Sequence, residues 1–138
     1  MRPDMKRRLE TLVNFKGTPH QLAASFGLGV VLGTLPGTGP IAAAVTAGVL
    51  RLNLPLMVGG ALLTNPLTLP FVYGWSFLIG RTLLGDWTPT GFLIRILRVL
   101  LGTLVGNLVL AVGLGVAGYL VVLSVVAVTR FYLHFQRA

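Results

Sequence analysis

Two short stretches of the chain carry the same alternation of threonine and proline. The motif T-x-P-x-T-x-P occurs twice, thirty residues apart, with Thr34, Pro36, Thr38 and Pro40 in the first copy and Thr64, Pro66, Thr68 and Pro70 in the second. Proline has no backbone N–H, so each copy should break a helix and leave carbonyl groups without partners. The helix that restarts after each break presents unpaired N–H groups and a positive dipole end beside the threonine hydroxyls. This combination suits a negatively charged ligand.

Four further polar residues extend this candidate substrate-binding site. Arg51 and Arg81 follow the two copies at equivalent positions, and a guanidinium group can bind a phosphate through two parallel hydrogen bonds. The alternative is that both arginines reach to a membrane surface and fix the orientation of the chain. Asn53 and Asn65 add side-chain amides in the same segments. The predicted site therefore consists of the eight motif residues with these two arginines and two asparagines.

Residues for catalysis or metal binding are scarce. The only acids are Asp4, Glu10 and Asp86, the chain has no cysteine, and His20 and His134 lie near opposite ends. No pair of carboxylates, nucleophile with a base, or cluster of metal ligands is present in the sequence. We therefore expect neither an enzyme nor a bound metal or cofactor.

The composition indicates a membrane protein. Hydrophobic residues make up 54% of the chain and charged residues 10%, whereas soluble domains have about 25% charged residues. Residues 17–50, 52–80 and 99–129 contain no Asp, Glu, Lys or Arg, and each stretch exceeds the roughly 20 residues that cross a bilayer core. The net charge of +8 comes from bases that flank these stretches, where they meet anionic lipid headgroups rather than nucleic acid.

These patterns predict an all-α integral membrane protein with five segments. A basic amphipathic interfacial segment covers 1–17, two broken-helix repeats cover 18–51 and 52–84, a polar loop and basic helix start cover 85–98, and a long C-terminal transmembrane helix with its tail covers 99–138. Thr18, Pro19 and Gln21 form a good helix start, with a capping box and a proline in the first position. Glycines 113, 115 and 118 allow a kink in the last helix, which is otherwise long enough to tilt or protrude.

Two topologies fit the repeat. Each unit is either a re-entrant hairpin, which we slightly favour, or a broken crossing, in which case the two units form inverted repeats. The excess of Lys and Arg before residue 17 places the N-terminus in the cytoplasm. Paired broken segments in corresponding halves are typical of transporter binding sites, while the alternative is that they are tight turns capped by threonines. Because so small a chain hardly encloses a pathway alone, we expect a homo-oligomer, most simply a dimer.

Several motifs resemble a bacterial family known as domain of unknown function 2062. The resemblance covers about residues 15–130, and its most specific parts are Arg51-Leu52-Asn53-Leu54-Pro55 and Asn65-Pro66-Leu67-Thr68-x-Pro70, with support from the segment Pro19 to Gly29, from Gly33-x-x-Pro36-x-x-Gly39, and from Tyr73 and Gly80. It implies a protein of the bacterial inner membrane. Some relatives are fused to glycosyltransferases of the polyprenyl-phosphate sugar type, which points to lipid-linked substrates and a possible glycosyltransferase partner.

The sequence thus leaves three functional hypotheses open. The first is a small transporter or flippase for an anionic substrate, with a polyprenyl phosphate or another phospholipid as candidates. The second is a non-catalytic membrane scaffold for lipid-linked glycosyl transfer, and the third is a small ion channel. All three involve membrane lipids as partners and none involves nucleic acid.

Overall fold

The computed structural model describes residues 17–37, 39–85 and 90–135. Within these ranges 84% of residues are helical and there is no strand, so the predicted all-α class is confirmed. The helices are α1 (Pro19–Thr34), α2 (Gly39–Leu50), α3 (Leu54–Ala61), α4 (Leu69–Leu84) and α5 (Phe92–Phe135). The predicted interfacial helix of segment 1–17 and the motif residue Thr38 lie outside the described residues.

Local sequence explains where the helices begin. Thr18 caps α1 as predicted: its hydroxyl accepts from the N–H of Gln21 at 3.2 Å, and the Gln21 side chain accepts from the N–H of Thr18 at 3.1 Å. Asn53 caps α3 in the same way by accepting from the N–H of Leu56 at 3.1 Å. Pro40 and Pro70 occupy the second positions of α2 and α4, where a missing N–H does no harm. The two prolines therefore mark helix starts thirty residues apart.

The C-terminal helix α5 is continuous over 44 residues, or about 66 Å at 1.5 Å per residue. It is long and apolar enough to cross a membrane. It begins at Phe92, so Arg95 and Arg98 lie in its first two turns. Glycines 113, 115 and 118 do not interrupt it.

Helix α1 runs antiparallel to α5. Gly27 of α1 lies against the backbone of Gly115, and Thr34 at the end of α1 accepts through its carbonyl from Asn107 at 3.2 Å. Gly17, two residues before α1, is held near the C-terminal end of α5, since Arg130 donates to its carbonyl at 2.8 Å. The start of α1 therefore lies near Arg130 and its end lies near Asn107.

Helix α4 is also antiparallel to α5 and occupies its N-terminal half. Ser76 packs against Gly106, and Gly80 packs against Gly102. Beyond the end of α4, the carbonyl of Gly85 accepts a hydrogen bond from Arg98. Arg98 and Arg130 lie on either side of the uncharged stretch of α5. Each binds a backbone carbonyl of the segment beside its own end of that helix.

Helix α3 runs parallel to α1, whereas α2 returns between them. The N–H of Asn53 donates to the Ser25 hydroxyl at 2.9 Å, and the Thr34 and Thr64 hydroxyls lie 3.4 Å apart. Short linkers at 35–38 and 51–53 join α2 to both neighbours, so α2 must run back toward the level of Ser25. The first unit therefore doubles back, while the second continues from α3 into α4 in one direction.

The packed interior is small and built mainly from small residues. Ala43 and Ala47 of α2 pack with Met57 and Ala61 of α3, and all four side chains are buried. Large apolar side chains cover much of the outside instead, including Ile41 and Leu67 at 80% exposure, Phe71 at 70% and Trp75 at 61%. Together with α5, this apolar exterior indicates that the chain associates with a membrane.

Candidate functional site

Four polar side chains meet where the two broken segments contact α5. Thr34, Ser76 and Asn107 are buried, and Thr64 is half-buried. The Asn107 amide donates to the Thr34 carbonyl at 3.2 Å and to the Ser76 hydroxyl at 3.3 Å. The Thr34 hydroxyl lies 3.4 Å from that of Thr64. We call these four residues the polar junction.

The backbone of α1 and α4 fixes the two hydroxyls at the centre of the junction. Thr34 donates to the carbonyl of Val30 and Ser76 donates to the carbonyl of Val72, each at 2.7 Å. Because both protons are used within their own helices, each hydroxyl oxygen faces its neighbours as an acceptor. The Ser76 hydroxyl and the Thr34 carbonyl are both acceptors, so the Asn107 amide directs its NH₂ group toward these two oxygens.

This orientation leaves the Asn107 carbonyl oxygen, Oδ1, buried without a hydrogen-bond partner among the described residues. A buried unsatisfied acceptor costs about 1–3 kcal/mol, so the position favours a donor such as a water molecule or a ligand hydroxyl. Asn107 is absent from the sequence-predicted site. In the sequence, the one feature that distinguishes Asn107 is that it is the only side-chain amide between Arg98 and Arg130.

Only part of the predicted site belongs to the polar junction. The structure brings Thr34 and Thr64 together at equivalent positions of the two motif copies. Pro36 is exposed in the first break, where Gly37 and Gly39 take positive φ values of 79° and 57°. Pro40 is exposed at the start of α2. Pro36 and Pro40 therefore do not belong to the polar junction.

The second break satisfies much of its own backbone. The side chain of Asn65 accepts from the N–H groups of Leu67 and Thr68 at 2.9 and 3.1 Å. The Thr68 hydroxyl accepts from the N–H of Asn65 at 2.9 Å and is 3.0 Å from the carbonyl of Leu63. Asn65 and Thr68 thus have a structural role in this turn, while Pro66 and Pro70 lie exposed on either side of it.

The remaining predicted residues lie away from the polar junction. Arg51 is exposed after α2 with a positive φ of 54°, and it lies on the side of the polar junction toward the start of α1, because the nearby Asn53 binds Ser25, nine residues before Thr34. Arg81 is exposed in the last turn of α4, at the opposite end. The two arginines are therefore not brought together, and Asn53 serves as a helix cap.

The junction offers hydroxyl and amide groups but no ionisable side chain. Among the described residues there is no group of three His, Cys, Asp or Glu side chains that could hold a metal ion. Neutral donors and acceptors in an apolar bundle can bind a hydroxylated or phosphorylated group, or order a water chain, by hydrogen bonding. The four residues of the junction include no carboxylate, imidazole, amine or thiol that could activate the hydroxyls of Thr34, Thr64 or Ser76.

The sequence comparisons identify a family. The family model described as "Uncharacterized protein conserved in bacteria (DUF2062)" matches residues 3–132. No curated protein and no solved structure matches the chain. The match extends over nearly the whole sequence and includes both broken segments and most of α5. The chain therefore belongs to this bacterial family of uncharacterised proteins, as the motifs around Arg51 and Asn65 predicted.

Proposed function

We propose that the protein is an integral protein of the bacterial inner membrane that moves an anionic substrate, such as a polyprenyl phosphate or a phospholipid, without catalysing a covalent reaction. The observation that carries the proposal is the polar junction, where Thr34, Thr64, Ser76 and Asn107 meet inside a largely apolar bundle. Polar side chains inside a membrane are costly and commonly mark a substrate path.

The spacing along α5 supports a position within the bilayer. Arg98 and Arg130 are separated by about 48 Å of helix at 1.5 Å per residue, close to the roughly 40–45 Å thickness of a bilayer with its headgroups. Asn107 lies about 13 Å along the helix from Arg98, which places the junction in hydrocarbon. Broken backbone at this depth is tolerated only where protein or a wet cavity covers it.

The helix directions support a mixed topology. The first unit, α1 and α2, is a re-entrant hairpin that begins near Arg130 and returns toward that end as far as the level of Ser25. The second unit, α3 and α4, is a broken crossing. Five basic residues precede Gly17 in the sequence, and Arg51 lies on the side of the polar junction toward that same end, whereas Arg81, Arg95 and Arg98 lie at the other end. The positive-inside rule then places the N-terminus, Arg51 and Arg130 in the cytoplasm.

Exposure of the breaks supports a homo-oligomer, most simply a dimer. Pro36, Asn65 and Pro66 are exposed in the single chain, although the adjoining Thr34 is buried. Lipid tails offer no hydrogen bonds to irregular backbone at that depth. A second copy facing these residues covers the breaks and encloses a path that one chain is too small to form.

Reconstitution in vesicles tests the proposal. Wild-type protein is expected to move fluorescent phosphatidylglycerol or a labelled polyprenyl phosphate across the bilayer faster than empty vesicles do. Asn107→Leu removes the junction donor and should slow movement about tenfold, the effect of losing roughly 1.4 kcal/mol. Thr103→Val is the matched control, because the Thr103 hydroxyl binds only the Val99 carbonyl of its own helix, at 2.8 Å.

Two results argue against this function. Movement equal to that in empty vesicles for lipids and small anions excludes transport under those conditions. If Asn107→Leu and Thr103→Val slow movement equally, transport does not depend on the polar junction.

A scaffold for lipid-linked glycosyl transfer is the second candidate. The second break favours it, because the polar side chains there form hydrogen bonds within the break itself. Because Asn65 and Thr68 bind their own turn, they need no substrate to satisfy them. A scaffold with a glycosyltransferase partner predicts that paired changes at Thr38 and Thr68 leave function intact, whereas changes at Gly102 or Gly106 impair it. Single-channel currents in planar bilayers would instead indicate an ion channel.

A further inference from the structure

A groove between α1 and α5 lies on the outside of the bundle, away from the polar junction. Its volume is about 370 Å³, within the roughly 300–1,000 Å³ range of small-molecule sites. The residues that line it are Ala24, Gly27, Leu28 and Val31 of α1 with Val112, Gly115, Val116 and Tyr119 of α5. Apart from the tyrosine hydroxyl, these side chains are apolar, so the groove suits a hydrocarbon chain.

One end of the groove carries polar and cationic groups. The Tyr119 hydroxyl is 2.7 Å from Nδ1 of His20, and the two rings stack with centroids 6.4 Å apart. His20 is four residues before Ala24 and therefore shares its helix face. With Nδ1 engaged by Tyr119, Nε2 of His20 has no hydrogen-bond partner among the described residues. His20 is also exposed.

Arg130 places a permanent cation on the same side. It follows Tyr119 by eleven residues, close to three full turns, so both residues lie on one face of α5. Its guanidinium donates to the Gly17 carbonyl at 2.8 Å, and Gly17 precedes His20 by three residues. The Nε–H of Arg130 is buried and has no partner in the described part of the chain.

No carboxylate balances this positive end within residues 17–37, 39–85 and 90–135. All three acids of the chain, Asp4, Glu10 and Asp86, lie outside those ranges. An imidazole at the end of an apolar groove and a guanidinium farther along the same face of α5 complement a phosphate group that carries an acyl chain. The positive charge at this end of the groove favours an anionic headgroup. The apolar groove favours a ligand that also carries an acyl chain.

We propose that His20, Tyr119 and Arg130 with the α1–α5 groove form a binding site for one anionic phospholipid. The headgroup phosphate lies at His20 and Arg130, and one acyl chain lies along the groove toward Val31 and Val112. This site is separate from the polar junction and does not depend on substrate movement. It requires only that the protein sits in a membrane with the Arg130 end at a headgroup layer.

Native mass spectrometry of the full-length protein tests the site. Protein in detergent is titrated with phosphatidylglycerol or with phosphatidylcholine of the same acyl chains. Wild-type protein should retain one phosphatidylglycerol per chain with about tenfold preference, the effect of one charge-assisted hydrogen bond. Arg130→Gln and His20→Gln should each abolish most of this preference.

Arg95→Gln is the matched control. It removes the same charge from an exposed position at the other end of α5, so it should leave the preference unchanged. Ala24→Leu fills the groove without altering charge and should weaken retention of both lipids. An excess of inorganic phosphate should not displace phosphatidylglycerol, since a phosphate ion lacks the chain.

Thermal unfolding provides a readout that does not depend on the variants. Phosphatidylglycerol should raise the melting temperature of the wild-type protein more than phosphatidylcholine does, because a ligand bound to the folded state stabilises it. Equal retention of the two lipids by the wild type overturns the proposal. Equal loss of preference in Arg95→Gln and Arg130→Gln also overturns it, as does displacement by inorganic phosphate alone. Vesicle transport assays measure none of these quantities, so this site can fail independently of the proposed transport.

Discussion

At the residue scale, Asn107 joins three helices through one amide group. Its NH₂ group donates to the Thr34 carbonyl of α1 and to the Ser76 hydroxyl of α4. Its own oxygen has no hydrogen-bond partner among the described residues. Interhelical hydrogen bonds in membranes contribute about 0.6–2 kcal/mol. The residue is therefore both a structural link between α1, α4 and α5 and the most specific polar feature of the interior.

We predict that Asn107→Leu lowers the free energy of unfolding by about 1–2 kcal/mol, because the Thr34 carbonyl and the Ser76 hydroxyl lose their donor. Thermal or denaturant unfolding in micelles, followed by circular dichroism, measures the change. Thr103→Val should change it by under about 0.5 kcal/mol, since that hydroxyl bonds only within its own helix turn. Equal effects of the two substitutions would contradict a specific role for the amide.

A second prediction at this scale concerns the two motif copies. The chain has no cysteine, so Thr34→Cys with Thr64→Cys introduces a single thiol pair where the hydroxyls lie 3.4 Å apart. Mild oxidation should link the pair within one chain, because the two side chains point at each other and rotation can bring two sulfur atoms at these positions to bonding distance. Gel mobility and intact mass measure the product. Thr34→Cys with Thr82→Cys is the control, and a product of twice the chain mass would instead place the two threonines across an interface.

The sequence predicts some of these residues and misses others for a physical reason. Local rules predict the Thr18 cap and the proline breaks, because each depends on neighbours within a few positions. The contacts of Asn107 with Thr34 and of His20 with Tyr119 join residues 73 and 99 positions apart. Side-chain type alone does not fix such pairings, so His20 remains an isolated histidine in the sequence.

At the element scale, glycines determine how closely α4 and α5 approach. A Cβ atom on Gly106 would overlap the carbonyl oxygen of Ser76, and one on Gly80 would overlap that of Gly102. Such close backbone contact is typical of helix pairs in membranes, where packing rather than the hydrophobic effect holds helices together. The same arrangement occurs between α1 and α3, where Gly29 lies against the backbone of Met57.

We therefore predict opposite effects of alanine at two glycines of α5. Gly106→Ala should lower the free energy of unfolding by about 2–3 kcal/mol, since neither backbone can move aside without cost. Gly113→Ala meets nothing within 4 Å and should raise stability by about 0.5–1 kcal/mol through helix propensity. Unfolding in micelles measures both. A loss at Gly113 as large as that at Gly106 would show that the effect comes from the helix itself and not from the seam.

The order of the helices is more predictable than their directions. Hydrophobic stretches and caps indicate five segments, and the long last helix follows from the absence of charges between Arg98 and Arg130. Whether a break reverses the chain depends on the turn geometry. Positive φ values at Gly37 and Gly39 accompany the return of α2, whereas the Asn65 and Thr68 hydrogen bonds join α3 to α4 in one overall direction.

At the scale of the whole molecule, an apolar exterior lies between cations at the two ends of α5. Arg130 fastens the chain to Gly17 at one end of α5, and Arg98 fastens it to Gly85 at the other. Large apolar side chains such as Phe71 and Trp75 are exposed along the bundle between these ends. The proposed topology, with a hairpin followed by a crossing, gathers most basic residues at the Arg130 end.

This topology predicts that the ends of α5 lie on opposite sides of the membrane. Thr90→Cys and Phe135→Cys each introduce one thiol at an exposed position just before and at the end of the helix. In intact spheroplasts an impermeant maleimide should label Thr90→Cys and leave Phe135→Cys unlabelled, because the cytoplasmic end carries most of the positive charge. Inside-out vesicles should reverse the pattern, and permeabilised cells should label both variants as the control. Labelling of both from the same side would contradict a spanning α5. A fully reversed pattern would keep α5 across the membrane but place the basic end outside, and the cytoplasmic assignment of Arg51 and Arg130 would then be wrong.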